Sequence, residues 1–253
     1  MTFLKSLLVA LSTYSVVPVP QFEWNEKNMK YAICFFPAVG ILCGAALYGW
    51  YAFSRWAGVS AVLFSAVAVS LPLLLTGGIH MDGYMDTVDA LASHQSRERK
   101  LEILKDSHIG AFAPIYLCIY LLLNFGLFHE IYEQGNVISV LPVYILSRAL
   151  SALCAVNLPN ARKSGMLCAY TKDTDRKKST AAMAVLICLC WAGWIALSWI
   201  PGCAAVAASV LAALLYRRMA IRQFGGVTGD TSGFFLQICE LSAMAGIWLG
   251  GLV

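Results

Sequence analysis

Charge is what this sequence has least of. Only 13% of its residues are charged and 59% are hydrophobic, with a mean hydropathy of +0.70. A soluble domain carries roughly a quarter charged residues, so the scarcity excludes an ordinary soluble domain and indicates an integral membrane protein. The nine cysteines form no CxxC pair, and Cys188 and Cys190 stand too close for metal-ligand spacing. That excludes a disulfide framework and leaves the thiols as small packing residues. The one glycine-rich loop lacks the GK[ST] ending of a Walker A loop. No compositional break or internal repeat divides the chain, so residues 1–253 read as one membrane domain. Met1–Val17 lacks a small-residue cleavage site and is not read as a secretory signal. Lys5 shortens its apolar run below the length of a span, so an interfacial or half-inserted helix is expected there.

Long apolar stretches are abundant. They run Tyr31–Phe53, Val59–Ile79, Ile109–Phe128, Val137–Leu158, Ala181–Ile200, Pro201–Tyr216 and Phe234–Val253. A crossing helix needs about 20 such residues. The expected fold is therefore all-α: a polytopic helical bundle of about seven transmembrane helices plus the N-terminal interfacial helix. Pro201–Tyr216 is short, and Ile200-Pro201-Gly202 reads as the tight turn before it. If Tyr31 starts on the cytoplasmic side, the outer loops hold only Arg55, Arg148 lies within a span, and the other sixteen of eighteen basic residues fall inside. That asymmetry sets the orientation. It also accounts for the net charge of +4 without nucleic acid as a partner.

The acidic residues are concentrated. Thr76–Phe112 holds six of the fourteen. Asp82, Asp86 and Asp89 recur at i, i+4, i+7 and so share one helical face. Like charges at that spacing weaken a helix. A solvated acidic face is the plain alternative, but the neighbouring spans and Gly77-Gly78 are poor surroundings for it. The cluster fits one or two divalent cations, and hard oxygen ligands favour Mg²⁺ or Mn²⁺. His80 precedes the cluster; a hydrogen-bonded loop histidine is its plainer role. KDSHIGAF follows with Lys105, Asp106 and Ser107, where Lys105 serves equally as a membrane-surface anchor.

Two further polar regions fall on the same side. Gly225-Gly226-Val227-Thr228-Gly229-Asp230-Thr231 precedes the last apolar stretch, within which lies Glu240. The other is Arg148 with the loop Asn157–Gly165, which carries Arg162 and Lys163. An ionisable residue inside a span marks a functional site by default. Arg148 and Glu240 either pair with each other or face the polar cavity, and the cavity is expected, with Arg148 clamping phosphate. Acids for metal, cations for phosphate and glycines for close approach are the parts of a phosphoryl-transfer site. These features name neither the substrate nor the nucleophile.

The same residues resemble the adenosylcobinamide-GDP ribazoletransferase family, also called cobalamin (5′-phosphate) synthase. The resemblance covers most of the chain. It begins at Val17-Pro18-Val19-Pro20 and Phe36-Pro37-Ala38-Val39-Gly40, is sharpest in GGIHMDGYMDTVDA and RERKLEILKDSHIGAFA, and returns at Asn160–Met166 and GGVTGDTSG followed by Glu240. His108 stands where the motif would carry arginine. The resemblance implies transfer of the phospho-corrinoid group of adenosylcobinamide-GDP to α-ribazole or its 5′-phosphate, releasing GMP, with Mg²⁺, in the bacterial inner membrane. DGxxDTxD is also similar to the paired-aspartate motif of CDP-alcohol phosphotransferases, although the Ala-Arg pair is missing. That similarity implies metal binding by Asp82, Asp86 and Asp89, and deprotonation of the attacking hydroxyl by Asp106 or one of the three. His80, Lys105, Ser107, Arg148, Arg162, Thr228, Asp230 and Glu240 are the expected substrate-binding residues. The rival activities are a lipid-type alcohol phosphotransferase and a cation transporter. A homo-oligomer or contact with other corrinoid-pathway enzymes is compatible with the sequence.

Overall fold

The computed structural model describes residues 2–106 and 108–253, which form helices joined by turns and by two longer segments, 15–25 and 158–165. Among the described residues the only extended pairing is one parallel bridge, Asn160 with Val227. Helix α1, Thr2–Tyr14, has 13 residues. At about 1.5 Å per residue it is too short to cross a bilayer. It is tied down by Ser6, whose hydroxyl donates to the Asn28 carbonyl at 2.7 Å, beside the single turn α2, Glu26–Met29.

Helices α3 (Phe36–Ala57) and α4 (Ala61–Thr76) form a hairpin through Gly58. The next break is sharper. Gly77 and Gly78 both take left-handed backbone, φ +61° and +75°, which glycine adopts without penalty. Helix α5, Ile79–Ala92, leaves at 95° to α4. The straight helix expected to run to Ile79 therefore stops at Thr76, and α5 turns off across one end of the bundle.

The chain continues through α6 (Arg97–Ile103), α7 (Phe112–Glu133), α8 (Leu141–Asn157), α9 (Met166–Lys172) and α10 (Arg176–Leu197). Helix α11, Trp199–Met219, runs into a π-helical turn, Ala220–Phe224, and α12, Gly229–Gly250, ends the bundle. One boundary differs from expectation. The turn between α10 and α11 is the extended residue Ser198, and Pro201-Gly202 sit in the first turn of α11. Proline is tolerated there because its missing N–H has no intrahelical partner to lose. The sixth stretch, expected at Pro201–Tyr216, is thus a helix of 21 residues rather than a short one. Gly202 allows close packing on α10; a Cβ there would lie 2.5 Å from the Trp194 carbonyl oxygen.

Among the described residues six helical segments are long and apolar enough to cross a membrane, or seven if the bent α4–α5 pair is one span. Helices α7 and α10 turn large apolar side chains outward, such as Leu122 and Leu189, whereas α8 and α12 are the most buried. Small residues bring the central helices together, as is usual in lipid. Gly40 meets the Tyr144 backbone, and Gly246 meets that of Ala204. Alternating crossings collect the end of α4, all of α5, α6 and α9, and the starts of α7, α10 and α12 at one end of the bundle.

Candidate active site

The site is built where α5 crosses the first turn of α12. A Cβ on Gly83 would lie 2.9 Å from the Asp230 Cα, and one on Gly233 would lie 2.9 Å from the His80 carbonyl oxygen. Glycine on both helices permits this approach, which carries Asp230 onto the acidic face of α5. Asp82 is exposed there, and Asp86 is half-buried. Burial first, then the negative charges of Asp82, Asp230 and Asp89, push the Asp86 carboxyl up to about 7, while Arg162 opposes the shift. The negative charge is thus focused on Asp82, Asp86 and Asp230.

Helix α12 starts cleanly because Thr228 caps it. The Thr228 hydroxyl accepts from the Thr231 N–H at 3.1 Å, and the Thr231 hydroxyl accepts from the Thr228 N–H at 2.9 Å. Thr228 therefore shapes the loop, with its hydroxyl engaged in the cap. The preceding glycine loop is held against Asn157–Gly165 by two backbone bonds, Val227 N–H to Pro159 O at 2.8 Å and Ala161 N–H to Val227 O at 2.9 Å. A side chain at Gly226 would collide with the Pro159 carbonyl, so glycine is needed. This pairing delivers Arg162, which donates to Asp230 Oδ2 at 3.2 Å and to the Leu101 carbonyl at 3.2 Å. Its Nε is buried without a partner among the described residues.

Asp89 has a different role from the one expected. Its carboxylate accepts the N–H groups of Gly110 (2.8 Å), Phe112 (3.1 Å) and Ala113 (3.0 Å), and so caps the start of α7. That commitment removes most of its capacity to ligate a cation; Asp230 takes its place in the acidic group. Asp106 is exposed and accepts from the His108 backbone N–H (3.0 Å) and contacts its ring Nδ1 (2.7 Å). Those contacts, the backbone bond foremost, hold its carboxyl below the usual range. It shares a cleft of about 290 Å³ with Asp86 and Asp89. Lys105 is exposed beside it, and Ser107 lies outside the described residues.

The largest correction concerns Arg148 and Glu240. They do not line the polar site. Arg148 Nη1 meets Glu240 Oε1 at 2.7 Å in the bundle core, with side-chain exposures of 1% and 5%. The Ser147 hydroxyl donates to the same oxygen at 2.9 Å, and the Tyr144 carbonyl accepts from Arg148 at 2.9 Å. Two charges within apolar spans have neutralised each other.

His80 is no loop residue. It occupies the first turn of α5, is buried, and has no hydrogen-bond partner on either ring nitrogen among the described residues. It lines a cavity of about 200 Å³ together with Tyr14, Phe36, Asp82, Leu167 and Asp230. Tyr14, on α1, and Ser151, on α8, also reach this cavity, although nothing in their local sequence marks them.

Among the described residues no three His, Cys, Asp or Glu side chains converge as a ready-made metal cage. Mg²⁺ does not require one, since it keeps several waters and takes one or two carboxylates plus substrate phosphates. Asp82 and Asp230, which face one cavity and share a negative field, fit that demand.

Fold and site together define a polytopic α-helical membrane protein with an acid-rich site and one neighbouring guanidinium at one end of the bundle. The family model for cobalamin-5-phosphate synthase matches residues 6–248, and the chain belongs to that family. Similar proteins named adenosylcobinamide-GDP ribazoletransferase occur in Lachnoclostridium phytofermentans (39% identity, 96% of this chain and 93% of that one) and Desulfitobacterium hafniense (33%, 97% of each). Another, from Clostridium botulinum strain Alaska E43, is 31% identical over 94% of each chain. No solved structure matches the chain.

Proposed function

We propose that this protein joins adenosylcobinamide-GDP to α-ribazole or its 5′-phosphate, releasing GMP, at a site on the cytoplasmic face of the inner membrane. It is a transferase of cobalamin assembly by family, and its relatives carry the name of that reaction. The observation that supports the site is the meeting of Asp82, Asp86, Asp230 and Arg162 at the α5–α12 crossing. The placement of the basic residues supports the cytoplasmic face.

The residues divide the work as follows. A ribose hydroxyl of the acceptor attacks the phosphorus that carries the corrinoid arm. The new O–P bond forms as the bridging P–O bond to GMP breaks. Asp86, its carboxyl near 7 and one helical turn from Asp82, takes the hydroxyl proton. Arg162 turns part of its guanidinium from Asp230 to the pyrophosphate oxygens. The N-terminus of α12 presents free N–H groups and a positive dipole end to the same anion. Asp82 and Asp230 would hold Mg²⁺, which would supply charge neutralisation on the phosphate oxygens. Arg148 and Glu240 keep α8 and α12 in register behind the site. Self-association and docking of other corrinoid enzymes belong to the same proposal, and light scattering of the purified protein addresses the first.

GMP release by purified protein tests the reading, with adenosylcobinamide-GDP, α-ribazole and Mg²⁺ each omitted in turn. Release only with all three supports it; equal release of CMP from a CDP-linked lipid precursor supports the alcohol phosphotransferase instead.

A further inference from the structure

The cavity beside the acidic group is apolar where the reaction centre is polar. Its wall is formed by Ile33, Phe36, Ile79, Ala152, Ala155 and Leu167, and Asp82 and Asp230 stand in the same lining. His80 is 5% exposed and lines it with both ring nitrogens unpartnered among the described residues. An unpaired buried imidazole is costly, and a ligand that completes it removes that cost. Tyr14 stacks on the same imidazole at a ring-centroid distance of 5.9 Å, and Phe36 lies tilted to it at 5.5 Å.

We propose that this cavity receives the aromatic base of the acceptor nucleoside, and that His80 donates to the base's one free ring nitrogen. The inference rests on the proposed transfer and assigns its acceptor subsite. Size excludes the corrinoid. At about 200 Å³ the cavity lies below the range of about 300–1,000 Å³ that suits drug-sized ligands, so it takes a bicyclic fragment and no macrocycle. Guanine suits it less well: that base presents several donors and acceptors, and although Asp82, Asp230, Ser151 and Ser232 line part of the cavity, the rest of the wall is apolar and would leave some of them unpaired. Dimethylbenzimidazole attached to ribose keeps a single acceptor nitrogen and two methyl groups. With the base inside, the ribose emerges beside Asp82 and Asp230, where its hydroxyl is needed. His80 is thus a specificity-determining residue for the acceptor.

The test measures KM for each substrate separately in GMP release. Ala152→Leu and Ala155→Leu fill the cavity without altering charge. Either should raise the KM for α-ribazole about tenfold or more, with the KM for adenosylcobinamide-GDP unchanged. His80→Phe keeps a ring and removes the donor, and should likewise act on α-ribazole alone. Wild-type protein gives an independent reading that needs no variant to fold. The riboside of unsubstituted benzimidazole should bind about tenfold more weakly for its two missing methyls, and dimethylindole riboside, which lacks the acceptor nitrogen, should bind more weakly still. A selective rise in the corrinoid KM would overturn the assignment, as would wild-type indifference to both analogues. Absence of GMP release by wild-type protein would reject the proposed transfer itself, and the subsite with it.

Discussion

Replacing Arg148 and Glu240 singly and together separates a structural pair from a substrate clamp. The two side chains lie 2.7 Å apart, almost fully buried, on helices that cross the bundle core. Removing one partner strands the other charge. Such a loss costs about 3–5 kcal/mol, or a fall in Tm of roughly 6–20 °C for a chain of this size. Arg148→Met and Glu240→Gln should each show it. The double variant removes both charges together and should lie within about 1–2 kcal/mol of wild type. Buried cysteines provide the assay once the exposed Cys118, Cys188 and Cys203 are replaced. Cys43 and Cys239 are buried near the pair, so a thiol-reactive dye reports their exposure as detergent-solubilised protein melts. GMP release on the same samples completes the comparison. The double variant should retain transfer, because neither side chain lines the cavity beside Asp82. Strictly additive losses of Tm would refute the pairing, and a folded double variant without turnover would return Arg148 to the substrate.

Three other outcomes follow from the site. Asp86 has its carboxyl raised to about 7, so Mg²⁺ binding should expel a proton and apparent Mg²⁺ affinity should fall as pH drops below about 7. Asp86's own contribution to stability has the opposite sign: in the metal-free protein it is present below the ordinary carboxylate range and lost as pH rises through about 7. A flat Mg²⁺ titration between pH 6 and 8 would contradict the first statement, and a metal-free Tm–pH profile unchanged by Asp86→Asn would contradict the second. Asp89→Ala strips three N–H groups at the start of α7 of their acceptor and should cost about 1–3 kcal/mol of stability; Asp82→Asn should leave Tm intact and abolish transfer. Equal melting of those two variants would undo the distinction. A single cysteine placed at Ser96, in a cysteine-depleted background, should label only from the cytoplasmic side, and labelling from the outer face alone would invert the topology.

The spans were legible because hydropathy is a local property. Gly77-Gly78 announced a break in the same way, but the 95° angle of α5 depends on what it packs against. Pro201-Gly202 misled because a proline suits a turn and the first turn of a helix equally well. The shared face of Asp82, Asp86 and Asp89 was also legible. Their separate fates were not, because Asp89 meets α7 more than twenty residues later and Asp86 feels Asp230 on α12. The glycines that allow that crossing, Gly83 and Gly233, were the available signal. Arg148 and Glu240 are 92 residues apart, and no local pattern distinguishes a mutual pair from two cavity residues. The burial of His80, without a hydrogen-bond partner among the described residues, likewise comes from α1 and α3 closing over it.

The central claim is that the carboxylates of α5 and α12 form one reaction centre. Turnover of Asp230→Asn tests it most directly, as GMP released from adenosylcobinamide-GDP and α-ribazole at saturating Mg²⁺, with Tm measured on the same sample. The account predicts a loss of about a hundredfold or more in kcat with the fold intact. Near-normal turnover by that variant would show that Asp230 is no part of the chemistry.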